Sequence, residues 1–238
     1  MCGRYVMFST TETVLAAVSR LVGERVGVAG RLPRPSWNIA PTHTVPVLRR
    51  FAGAVTLGPA EWGYPAPWRP GTVLFNARGE TVFDKASFRG SAPCLFVMDG
   101  WYEWKDRQPH YVDAPSGPLV AAGLCRPSDG DGGARLTATM VTTASAGPVD
   151  WLHDRMPLLL GAGGTGGTGA AGGEEALAWL DGSDDDRRAL AASVPGDRVL
   201  GVLRTREADR RVGSVAVNGP ELTGAGGADR EGTAHTQD

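Results

Sequence analysis

Phe96-Val97-Met98-Asp99-Gly100-Trp101-Tyr102-Glu103-Trp104-Lys105 is a short apolar run that passes an Asp-Gly pair and ends in a carboxylate set among three aromatic rings. A run this short predicts a strand over 94–98 rather than a helix. Similar runs flank it. Residues 44–48 and 54–57 read as strands joined by a turn at Gly53, and further strands are predicted at 72–75, 119–124, 138–143 and 156–160. Upstream, Thr10-Thr11-Glu12 followed by Val14, Leu15, Val18, Leu21 and Val22 combines an N-cap with apolar spacings of three and four, predicting an amphipathic helix over 10–22. The glycines and prolines of 23–41 predict a loop. Helical patterns return at 174–180 and at 184–192, the latter opening with acidic residues where the helix dipole favours them. Strands fill the middle and helices lie near both ends.

At 238 residues and 42% hydrophobic content, one main domain with one sizeable core is expected, over residues 1–222. The stretch 161–173, nearly all Gly, Ala and Thr, is expected to be a mobile loop within it, and 223–238 a disordered tail. There is no apolar run of about 18 residues, and the first residues lack a signal-peptide layout. A cytoplasmic protein is expected. Cys2, Cys94 and Cys125 have no metal-binding spacing, and His43, His110, His153 and His235 are scattered, so neither a disulfide framework nor a metal is expected. Cys94 and Cys125 sit among apolar residues and read as core. A net charge of −2 gives no global attraction to nucleic acid, so any such contact must come from local arginines.

Four constellations could carry chemistry. If Met1 is removed, Cys2 becomes a free 1,2-aminothiol. Its α-amine, with a reference pKa of about 7.7–8.0, is partly neutral at physiological pH. Such an amine attacks an aldehyde to give an imine, and the thiol can close on the imine carbon as a five-membered thiazolidine, with intramolecular geometry in its favour. In the second, Asn76 and Arg78 follow an apolar strand. They read either as a solvated turn or as a sugar-oxygen ligand beside a phosphate-binding guanidinium. In the third, Glu103 is either a surface residue paired with Lys105 or a carboxyl whose pKa is raised in a pocket of Trp101, Tyr102 and Trp104. In the fourth, His153 lies in a polar turn beside Arg155, as a structural residue or as a proton-transfer group next to a second phosphate site.

Taken in order, Met1-Cys2-Gly3-Arg4-Tyr5, Trp37-Asn38-Ile39-Ala40-Pro41-Thr42, Asn76-Ala77-Arg78-Gly79-Glu80-Thr81, Asp99-Gly100-Trp101-Tyr102-Glu103-Trp104 and His153-Asp154-Arg155-Met156-Pro157 closely resemble the SRAP family, the SOS response-associated peptidases. The match extends to Val215-Ala216-Val217-Asn218-Gly219-Pro220-Glu221-Leu222. The resemblance implies a compact α+β fold with a mostly antiparallel, barrel-like β core flanked by helices. It also implies a groove for single-stranded DNA containing abasic sites, whose ring-opened aldehyde is cross-linked, shielding the lesion during replication or repair. By the same resemblance Cys2 is the nucleophile, Asn76 stabilises the sugar, Glu103 is the acid/base and His153 donates a proton to the opening sugar. Arg4, Arg78 and Arg155 hold phosphates, and Pro41 and Trp68 wedge the bases apart. The chain is expected to act as a monomer, without a cofactor. Arg89-Gly90-Ser91-Ala92-Pro93 departs from the family in carrying fewer basic residues. Two other functions stay open: a thiol (auto)peptidase using Cys2, and a non-covalent reader of modified or damaged bases.

Overall fold

The computed structural model describes residues 2–115, 117–130, 133–162 and 173–224. Five long strands close on themselves: Thr44–Phe51, Ala54–Trp62, Ala92–Met98, Leu119–Gly130 and Gly133–Ala144. Leu119–Gly130 lies between Gly133–Ala144 and Ala92–Met98, which meets Thr44–Phe51, which meets Ala54–Trp62, all antiparallel. The ring is completed by two parallel register pairs, Thr137↔Glu61 and Ala138↔Trp62. Closure leaves these strands no continuous open edge on which another chain could build. At the Gly53 turn, Ala52 (φ 51°) and Gly53 (φ 82°) are both left-handed, as a two-residue hairpin matched to strand twist requires. Trp62 anchors the interior. It packs edge-to-face on Tyr5, Phe75 and Phe96, and its indole N–H donates to the Phe75 carbonyl at 2.8 Å.

A second, antiparallel sheet runs in the order Arg204–Glu207, Gln108–Asp113, Gly100–Lys105, Arg4–Met7, Ser36–Ile39. One face meets the barrel core through Tyr5 and Trp101. The other covers a small separate core of Val6, Tyr102, Tyr111, Ala208, Val212 and Leu222. The step from the first sheet to the second occurs at Asp99. Its carboxylate accepts from the Phe8 and Ser9 amides at 2.6 and 2.7 Å and from the Ser9 hydroxyl at 2.5 Å, fixing the exit of Arg4–Met7. At Gly100 a Cβ would lie 2.3 Å from the Val112 carbonyl oxygen.

The α+β expectation holds, and so do the helices: Thr11–Val22 with Thr10 as N-cap, Gly173–Asp181, and Asp184–Ala191 with a Ser183–Asp186 capping box. Several strands differ from the sequence reading. The predicted loop 23–41 contains Gly27–Val28 and Ser36–Ile39. Arg4–Met7, Gln108–Asp113 and Arg204–Glu207 have no predicted counterpart. Arg204–Glu207 carries no apolar residue. Pairing with residues 110–113 and an Arg206–Asp113 ion pair at 2.9 Å hold it in place. The predicted strand 156–160 is two strands, Arg155–Pro157 and Leu159–Ala162. The chain changes partner at Leu158, whose N–H bonds the Val141 carbonyl while its own carbonyl accepts from Ala122. Of the predicted loop 161–173, Gly161 and Ala162 are strand and Gly173 is helix, and the remainder lies outside the described residues. The predicted tail begins inside the short helix Pro220–Thr223, and 225–238 also lie outside them. No helix among the described residues is long and apolar enough to cross a membrane.

Candidate active site

The far end of Gly133–Ala144 organises the site. Beyond the barrel closure, this strand takes a short partner on each edge: Asn76–Arg78 in parallel through Met140–Thr142, and Arg155–Pro157 antiparallel through Thr142–Ala144. Two sequence-distant motifs are thereby held one strand apart. Gly79 lets the first of them pack down on the helix Asp184–Ala191, since a Cβ there would lie 2.0 Å from the Ala191 carbonyl oxygen.

Cys2 is fully buried at the start of the second sheet, and its carbonyl oxygen accepts a 2.7 Å hydrogen bond from the Asn76 carboxamide. The other end of that carboxamide, Oδ1, is buried without a hydrogen-bond partner among the described residues. Burial first, and then the negative charge of Glu103, push the Cys2 thiol well above its ordinary value. Glu103 is itself buried, and this desolvation raises its pKa. The charge of His153 is among the influences that oppose the rise. Cys2, Asn76, Glu103 and His153 are therefore brought together from four separate segments.

The pocket read from the sequence around Glu103 needs correction. Side chains alternate along a strand, and Tyr102 belongs to the small second core, with Trp104 packed against it. Only Trp101 shares the face of Glu103, and the residue directly across from Glu103 on the neighbouring strand is His110. The surface pairing with Lys105 fails as well, because Glu103 is buried while Lys105 is exposed.

His153 Nδ1 accepts from the Arg155 amide at 3.0 Å and lies 2.5 Å from an Asp154 carboxylate oxygen. The two contacts ask opposite things of one nitrogen, a lone pair for the amide and a proton for the carboxylate. The amide is fixed by the strand, whereas the Asp154 side chain is 80% exposed and able to rotate away. Accepting at Nδ1 places the ring proton on Nε2.

A family model described as SOS response associated peptidase (SRAP) matches residues 1–215. The chain belongs to the SRAP family. Among its SRAP relatives, "Abasic site processing protein YoqW" of Bacillus subtilis (strain 168) is 31% identical over 178 residues, covering 67% of this chain and 76% of that protein. "Abasic site processing protein YedK" of Escherichia coli (strain K12) is 29% identical over 237 residues, covering 93% and 98%. "Abasic site processing protein HMCES" of Xenopus tropicalis is 27% identical over 191 residues, covering 62% and 54%. A crystal structure of a Bacteroides thetaiotaomicron protein superposes with a TM-score of 0.71 over 93% of this chain and 98% of that one. At 18% identity it speaks for the fold alone.

The arginines of the SRAP motifs differ in their freedom. Arg78 is exposed and makes no hydrogen bond or ion pair among the described residues. Arg155 is clamped by both oxygens of Glu80 and donates to the Thr142 carbonyl at 2.5 Å, and the same clamp holds the Glu80 carboxyl below its ordinary value. Arg4 faces away from Glu103 and bonds the Asn38 side chain (2.8 Å) and the carbonyls of Val212 and Gly213. Pro41 is half-buried on the turn before Thr44–Phe51, next to Thr42 with φ 76°. Trp68 is 64% exposed in the segment between Tyr64–Pro65 and Val73–Leu74, which runs on into Asn76.

Two SRAP motif residues that the sequence reading left without a role are structural. Asn38, buried, donates to the carbonyls of Val212, Ser214 and Val217 while accepting from Arg4. Asn218 accepts from the Trp37 amide at 2.7 Å. Together they staple the C-terminal motif onto Ser36–Ile39. The pairing of one Asn per motif was the available signal. Tyr5, whose buried hydroxyl has no hydrogen-bond partner among the described residues and whose pKa is raised by burial and by Cys2, adjoins the site and was not singled out by sequence reasoning.

Proposed function

We propose that this SRAP protein captures abasic sites in single-stranded DNA covalently through Cys2, made N-terminal by removal of Met1, and so shields the lesion. The observation that carries the proposal is the Asn76–Cys2 hydrogen bond, which holds the backbone of residue 2 beside Glu103 and His153. The names of the relatives support the choice of substrate.

In the proposed reaction His153 protonates the ring oxygen as the sugar opens to its aldehyde. The neutral α-amine adds to that carbon, and Glu103 passes protons until water leaves and the imine forms. The thiol then adds across the C=N bond, sulfur to carbon and proton to nitrogen, closing a thiazolidine with no net redox change. A raised thiol pKa favours the amine as first nucleophile and counts against the thiolate that a cysteine peptidase uses. A buried carboxyl whose pKa is raised by desolvation suits the transfer role of Glu103.

The test is incubation of protein lacking Met1 with an abasic single-stranded oligonucleotide, followed by denaturing electrophoresis. A covalent adduct is expected without borohydride, because a thiazolidine, unlike an imine, needs no reduction to survive. An adduct seen only after reduction would remove the thiol step. Cleavage of peptides by this preparation, with no adduct, would favour the peptidase, and retention of the oligonucleotide by Cys2→Ser equal to wild type would favour the non-covalent reader.

A further inference from the structure

Trp151 is not among the residues used above, yet it stands at the rim of the site. It lies two residues before His153, and its ring meets that of His110 edge-on at 5.0 Å and 85°. His110 is nearly buried and sits directly across the ladder from Glu103. The indole N–H is spent internally on the Pro148 carbonyl at 3.1 Å. Leu152, buried, pins the next position of the loop. The ring is thus held from two sides and remains 46% exposed.

An exposed indole whose only polar atom is already bonded offers the solvent an apolar π surface and nothing to hydrogen-bond. Such a surface is matched by another flat π system. Held in advance by His110 and Pro148, it would lose little rotamer freedom on stacking. We infer that Trp151 is a stacking platform for a nucleobase of the bound single strand, next to the position presented to Cys2. The inference rests on the DNA reading above and adds to it a base-binding subsite independent of the covalent step. Because every base has a π face, the platform is tolerant of sequence.

The test compares wild type, Trp151→Phe and Trp151→Leu, each lacking Met1, by fluorescence anisotropy. The probes are a labelled undamaged single strand and a labelled strand built largely of tetrahydrofuran residues, which keep the phosphates but have no bases. Leucine keeps an apolar cover on His110 without a π face, and phenylalanine keeps the face. Trp151→Leu is expected to weaken binding of the normal strand by about 5- to 150-fold, the range of a single base stack, and to leave the tetrahydrofuran strand unaffected. Trp151→Phe is expected to stay near wild type on both. Equal binding of the normal strand by wild type and Trp151→Leu overturns the platform, as does equal weakening on both strands, which would mark a structural role that thermal unfolding also registers. Wild-type binding that Trp151→Leu weakens, with no adduct to abasic DNA, would sink covalent capture and leave the platform standing. No binding of any single strand by wild type would overturn both.

Discussion

The side chain of Asn76 holds the main chain of Cys2: its carboxamide N–H donates to the Cys2 carbonyl oxygen at 2.7 Å, across a gap of 74 residues in sequence. The orientation of the proposed nucleophile therefore depends on a strand of the barrel assembly as well as on its own neighbours. Asn76→Ala is expected to slow adduct formation by about 100-fold, the scale of a small misplacement of reacting groups. The stability cost should be only about 1 kcal/mol, that of one ordinary hydrogen bond. Timed quenching on denaturing gels, beside a thermal melt, measures both. An unchanged rate would detach Asn76 from the chemistry.

Glu103 should make the fold less stable as pH rises. Burial raises its pKa above the ordinary 4.5, so between that value and its native pKa the folded state binds more protons than the unfolded state, and unfolding free energy falls with increasing pH. Glu103→Gln removes this slope. The variant is expected to melt higher than wild type at pH 8, by about 2–4 °C for each 1 kcal/mol recovered, with the gain shrinking toward pH 4.5, while its adduct formation drops by about 10²–10⁴-fold. A constant difference in melting temperature from pH 4.5 to 8 would contradict the burial argument.

Arg78 and Arg155 should respond differently to removal. Arg78, exposed and without a hydrogen bond or ion pair among the described residues, is the proposed phosphate contact. Arg78→Ala is expected to reduce the slope of log affinity against log salt by about 0.7 with no change in melting temperature. Arg155 is clamped on Glu80 and Thr142, so Arg155→Ala should cost about 1–3 kcal/mol of stability. Salt titrations by anisotropy and denaturant melts of the two variants separate the cases. A stable Arg155→Ala with a reduced salt slope would mean that the clamp opens on DNA.

Asn38→Ala should be among the more damaging single changes. Its buried carboxamide satisfies three carbonyls of residues 212–217 and the Arg4 guanidinium, and truncation leaves these groups short of partners inside the protein. A loss of about 2–4 kcal/mol is expected, or roughly 5–15 °C in melting temperature. Limited proteolysis should begin near residue 212. A drop under 0.5 kcal/mol would show that the staple is not needed.

By itself the sequence determined the elements whose signal is local. The helix Thr11–Val22 announces itself by N-cap and periodicity, the Gly53 turn by its glycine, and the barrel strands by short apolar runs, because each pattern is read over a few adjacent residues. It also determined which residues to suspect, since Cys2, Asn76, Glu103 and His153 carry their chemistry in their side chains or chain position. Only the tertiary structure decided what surrounds them. Arg204–Glu207 is a strand because Gln108–Asp113 offers it hydrogen bonds and an ion pair to Arg206. Tyr102 and Trp104 leave Glu103 for the second core because strand alternation meets a layer on each face of the sheet. Arg4 and Arg155, alike in sequence as exposed-looking cations, are tied down by partners 34 and 75 residues away. The two edges of Gly133–Ala144, together with the second sheet and the Asn76–Cys2 hydrogen bond, bring residues 2, 76, 103 and 153 to one place, and no local pattern encodes a contact between segments so far apart along the chain.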